Sequence, residues 1–229
     1  MSADTWAAVG ALLSPALLQV VPPGHLVHAC RTLSWSRAVD SCMYSSHVSA
    51  SDFSGVVRVA ELPEHAPYVP TRAQGESVLS LYFRQVFGCE PVMLDLRSGA
   101  FCSRGDMLFW RPMPLEARWS SDFTDACRDM YEGYFLGRAA QFSAGARGLG
   151  LAHAESALRA QFGDTRAVAF SAKSFVQRST AVLAESMSVG ASLHPDFVTL
   201  SLMLACMYEH LSRVAEPLDV RTAFERARR

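Results

Sequence analysis

The stretch Ser77–Trp110, SVLSLYFRQVFGCEPVMLDLRSGAFCSRGDMLFW, decides the fold class. Its first half carries Val78, Leu79, Tyr82, Phe83, Val86 and Phe87 at three- and four-residue spacing. That period predicts a helix over 74–88, stopped at Gly88. After Pro91 the pattern changes. VMLDL and, further on, MLFW at 107–110 are short apolar runs with β-forming residues, separated by a polar loop. They predict a hairpin of 91–97 with 106–111, its connection longer than the commonest hairpin turns.

C-terminal to this stretch the period is helical. Pro112 and Pro114 mark the strongest internal boundary. Ser121 reads as the N-cap of a long helix, with Asp122 and Asp125 in its first turn where a carboxylate complements the dipole. Its apolar face runs from Phe123 to Phe142, and Gly145, Gly148 and Gly150 close it. Further helices are expected over about 153–162, 166–188 (with AVAF as an alternative strand) and from Pro195 to about Val214. The tail 219–229 reads as a charged surface helix. On the N-terminal side, helices are expected over 3–20, kinked at Pro15, and over 25–46. A strand is expected at 56–62, and an exposed proline-rich loop from Pro63 to Thr71.

The expected fold is α+β and predominantly helical. A small β-hairpin or sheet packs with helices in residues 1–111, and a helical bundle fills 119–229, the two forming one continuous globular unit. The triplets Ser51-Asp52-Phe53, Ser121-Asp122-Phe123 and Pro195-Asp196-Phe197 resemble one another. A local cause accounts for them: aspartate suits the first helical turn, and the aromatic after it packs inward.

Composition narrows function. Half of the 229 residues are hydrophobic and 19% are charged, against about 25% charged in a typical soluble domain. That deficit fits either deep burial or a surface covered by a partner. The net charge of −1 supplies no basic field for nucleic acid or an anionic membrane. Lys173 is the one lysine, in AFSAKSF, which matches neither a P-loop nor a kinase strand. Six cysteines form no CxxC pair and read as reduced, mostly buried thiols of a cytoplasmic protein. Asp4 precedes the first apolar segment with no Lys or Arg, unlike a signal peptide. The run from Phe197 to Tyr208 is shorter than the ~20 residues of a membrane span.

Three constellations could carry chemistry. His25, His28 and Cys30, with Cys42 and His47 near in sequence, are the densest soft ligands. Their spacing matches no zinc pattern, and a plain helix face explains them, so no metal or cofactor is assigned. Asp95, Arg97, Arg104 and Asp106 flank the polar loop, where ligand groups are often displayed; they equally suit ion pairs. Met107, Phe109, Trp110, Met113 and Trp119 are an aromatic, methionine-rich cluster broken by prolines. Such composition suits a partner-binding surface, or else a seam between the two parts. No GxSxG is present, and no cysteine has an identifiable histidine partner.

Two functions follow as expectations. One is an accessory or partner-binding protein of a bacterial cytoplasm, meeting another protein chain or a second copy of itself through the charge-poor aromatic surface. The other is an enzyme or small-ligand binder using Asp95 and Asp106 at the loop 97–106.

Overall fold

The computed structural model describes residues 23–35, 56–59, 68–88, 91–113, 115–162 and 167–228. The expected helix over 3–20, residues 36–55 including Cys42 and His47, and most of the proline-rich loop lie outside that set. The architecture is α+β and predominantly helical. Helix α1 (Pro23–Thr32) runs into strand β1 (Leu33–Trp35). The expected helix over 25–46 therefore ends early: Leu33–Trp35 is extended and pairs with Leu115–Ala117.

Helix α2 (Arg72–Phe87) starts as its sequence dictates. Thr71 caps the Gln74 amide at 3.3 Å, and Gln74 Oε1 accepts from the Thr71 amide at 3.0 Å, a reciprocal box that satisfies two orphan donors. The VMLDL run is strand only at β3 (Val92–Met93). The hairpin is shorter and shifted from expectation. Strand β4 (Phe101–Arg104) pairs antiparallel with β5 (Met107–Trp110), and Gly105-Asp106 is the two-residue loop. Gly105 takes φ +58°, which permits that tight turn. Strand β2 (Val56–Arg58) lies parallel to β5, and β6 (Leu115–Ala117) sits between β1 and β3.

The long helix expected from Ser121 to Phe142 is two helices, α3 (Ser121–Phe135) and α4 (Ala139–Gly148). The chain reverses at Gly137, whose φ of +70° places it in the left-handed region. Glycine then permits the two helices to touch. A Cβ on Gly133 would stand 2.2 Å from the Phe142 amide nitrogen, and one on Gly145 would stand 2.3 Å from that of Met130. Gly145 and Gly148, expected to close the helix, lie within α4 at this crossing.

Helix α5 (Glu155–Phe162), strand β7 (Ala167–Val168) and helix α6 (Ala172–Ser188) follow. The strand alternative for AVAF holds for its first two residues. Helix α7 (Phe197–Leu211), strand β8 (Leu218–Asp219), which pairs with β7, and helix α8 (Val220–Ala227) complete the chain. The tail is not a purely surface helix. Phe224 is fully buried and stacks on Phe135 at 4.6 Å, edge-on to Phe83 and Phe87. One cluster of buried apolar residues runs from Ala29 to Phe224. Among the described residues no helix is long and apolar enough to cross a membrane.

The glycine contacts give a direct test. Gly133→Ala or Gly145→Ala forces backbone apart and should cost about 2–3 kcal/mol in urea denaturation. Gly99→Ala, where a Cβ meets nothing within 4 Å, should stay within about 0.5 kcal/mol.

Candidate functional site

A buried polar side chain needs partners within the fold. Asp95 is 2% exposed, beside Trp110. Its Oδ1 accepts from Arg97 Nε at 2.8 Å, and its Oδ2 from Arg97 Nη2 at 3.1 Å and the Met113 amide at 3.0 Å. Its backbone carbonyl takes Trp110 Nε1 at 2.9 Å. Each carboxylate oxygen is thus committed within the fold. The structure brings Asp95 and Arg97 together and leaves Arg104 and Asp106 exposed at the far end of the hairpin. Asp95→Ala leaves the Arg97 guanidinium and the Met113 amide without a partner. It should lower stability by about 3 kcal/mol, whereas Asp106→Ala should change it by less than about 0.5 kcal/mol.

Both ends of α7 are similarly tied. At its start, Asp196 is 3% exposed and Ser120 donates to Oδ2 twice, from its amide at 3.1 Å and its hydroxyl at 2.9 Å. His28 Nε2 lies 3.2 Å from Asp196 Oδ1. The Ser120 hydroxyl therefore does not cap α3, although Ser120 is its N-cap residue. Trp119 Nε1 donates to Thr199 Oγ1 at 2.7 Å, and that hydroxyl donates to the Asp196 carbonyl at 2.8 Å. Of the candidate metal ligands, His28 is committed to Asp196, and the side chains of His25 and Cys30 lie outside the described set. Among the described residues no three such groups converge on a metal position.

At the end of α7, His210 is fully buried. Its Nδ1 lies 3.1 Å from the Leu96 carbonyl and its Nε2 3.0 Å from the Tyr68 hydroxyl. A carbonyl only accepts, so Nδ1 carries the proton and Nε2 accepts from Tyr68. Burial pulls the His210 pKa down to about 4. An unfolded histidine titrates near 6.5. Between these values the unfolded chain binds a proton that the folded chain does not, so stability falls as pH drops through that window. From about pH 7.5 to pH 5 the loss from this group should be on the order of 2 kcal/mol. Urea titrations of wild type and His210→Gln should show a smaller loss in the variant.

The five aromatic and methionine residues do not share one face. Trp110 is buried and stacks 6.0 Å from Phe101; Met113 and Trp119 pack partly buried against the core; Phe109 is half-buried; Met107 is exposed.

A concave feature lies elsewhere, in the helical part. A cavity of about 110 Å³ opens between α2, α3, α5, α6 and α7. Leu79, Tyr82 and Phe83 of α2 line it, with Met130 and Tyr131 of α3 and Phe162 of α5. Leu200, Leu204, Met207 and Tyr208 of α7 form a further wall. Phe175 of α6 stacks 4.3 Å from Tyr208, with Phe170 at 4.9 Å. Arg178 and Ser179 of α6 also line the cavity; Arg178 is exposed, and its Nη1 donates to the Ala160 carbonyl at 3.3 Å. Helical period alone places these side chains inward. That they leave a space between them is a property of packing, which the sequence pattern does not express.

One polar pair lies within this apolar wall: the Tyr82 and Tyr131 hydroxyls hydrogen-bond to each other. Both rings are buried. Burial pushes both phenols well above their ordinary range, and the neighbouring Tyr208 phenol acts in the same direction. The pair is neutral and protonated at physiological pH. Among the described lining residues there is no carboxylate and no imidazole. The cavity thus offers apolar contact and hydrogen-bond donation, not a general base. Compared with protein-family models, curated proteins and solved structures, the chain matches none.

Proposed function

We propose that the protein binds a small apolar molecule in the interhelical cavity. The observation that carries this reading is the cavity itself, an aromatic- and aliphatic-lined space among buried helices. Its volume is of the order of an apolar cavity of about 150 Å³ that takes benzene. Convergent apolar walls with few polar groups are the usual make-up of a ligand pocket. The reading keeps the small-ligand function expected from sequence and moves its site from the loop 97–106 to the helical part. Free, buried Cys102, Cys127 and Cys206 support a reducing compartment such as the cytoplasm.

The partner-binding reading has less support. Of its five residues Met107 is the exposed one, and among the described residues the other exposed large apolar side chains, Val27, Val69 and Val189, stand on separate segments.

Ethylbenzene, titrated calorimetrically or followed by ligand-observed NMR, is a suitable probe. Wild type should bind it, and Val182→Phe, which fills the cavity from α6, should weaken binding at least about tenfold with the fold retained by circular dichroism. Absence of binding to wild type, or equal binding by the variant, overturns the cavity as a ligand site.

A further inference from the structure

On the reading of the cavity as a ligand site, we propose that the Tyr82–Tyr131 pair is its polar anchor, donating one hydrogen bond to a carbonyl-type oxygen on an apolar ligand. The count of protons leads there. Two phenols carry two hydroxyl protons, and the bond between them uses one. Among the described residues no acceptor takes the second. Both rings line the cavity and both are almost wholly buried. A buried hydroxyl proton without an acceptor is costly, by about 1–3 kcal/mol. An acceptor brought in by the ligand removes that cost, so the pair discriminates between apolar molecules of one shape by whether they carry such an oxygen.

Asp95, Asp196 and His210 all have their bonds met by the chain itself. The tyrosine pair differs in having donor capacity left over and a cavity beside it. Because the hydroxyls are neutral donors, the matching group is a neutral acceptor: a ketone, aldehyde, amide or ester oxygen. A hydrocarbon would occupy the same space and leave the proton unmet. The mutual hydrogen bond also strengthens the remaining donor, since a hydroxyl that accepts one bond donates the next more strongly.

The test uses two probes of nearly one shape, acetophenone and ethylbenzene, which differ by a carbonyl in place of a methylene. Both are titrated into the full chain as wild type and as the double variant Tyr82→Phe with Tyr131→Phe. The expected result is a loss of about fivefold or more in acetophenone affinity with ethylbenzene affinity unchanged. In infrared difference spectra the carbonyl stretch of bound acetophenone should lie lower in wild type than in the double variant. Equal losses for both probes overturn the anchor. So does a carbonyl band in wild type at its position in an apolar solvent, a measurement that stands even if the double variant fails to fold. Ethylbenzene binding without any carbonyl effect overturns the anchor and keeps the cavity reading. Binding of neither probe to wild type overturns both.

Discussion

Helix α7 is apolar on nearly every face, and that is the constraint on which the fold depends. Such a helix has to be enclosed, and enclosing it buries the polar side chains at its two ends, Asp196 and His210, which then need partners. The chain meets this with two polar junctions. At the start, Asp196 gathers Ser120 and His28. At the end, His210 and Glu209 engage Leu96, Tyr68 and Ser98. The partners at the far end all come from before the proline boundary, and His28 comes from before it at the near end. Helix α7 therefore ties the mixed part to the helical part by directional bonds as well as by apolar contact. A slide of α7 along its axis would break both junctions together, so its register is fixed at two points.

The cavity follows from what surrounds α7. Phe162, Phe170, Phe175 and Tyr208 are rigid rings with two side-chain torsions each: Phe162 lies tilted against Tyr134, Phe170 tilted against Tyr208, and Phe175 stacked on Tyr208. Rings held in this way cannot collapse into a gap as flexible aliphatic chains do. The α3–α4 crossing adds to the rigidity. With Gly133 and Gly145 the two backbones approach too closely to shift without a clash. The helix that carries Met130 and Tyr131 to the cavity is the one held in this crossing.

Much of this was legible in the sequence, and what was not has identifiable causes. The periods of 74–88 and of the segment after Pro195 located α2 and α7, because a helix exposes its amphipathic or all-apolar pattern locally. Strand pairing was less legible. VMLDL and MLFW are both apolar, and nothing within either run says which neighbour it will join; Gly105-Asp106 was the signal for the tight hairpin, masked by the polar loop around it. The glycines misled for a related reason. Gly145 and Gly148 look like helix stops in one dimension, whereas in three they are the places where another helix touches. Asp122 and Asp196 occupy equivalent places in similar triplets, yet the first is exposed and the second is a buried junction. Their difference lies in what packs against them, which no local pattern carries.

The same distinction separates polar groups whose bonds the fold completes from those with capacity left over. Asp95 and Arg97 attracted attention in the sequence because charges beside a loop often bind something, but every oxygen of Asp95 already has a partner. Saturation of that kind is what a structural group requires, since burial without partners would cost more than the fold gains. A group kept for binding has the opposite property: capacity held in reserve, at a place a ligand can reach. On the proposed reading Tyr82 and Tyr131 meet that description, and neither carries a charge or falls within a recognisable motif. Their significance depends on an arrangement, two hydroxyls from different helices facing each other across an apolar wall, that exists only after α2 and α3 have packed.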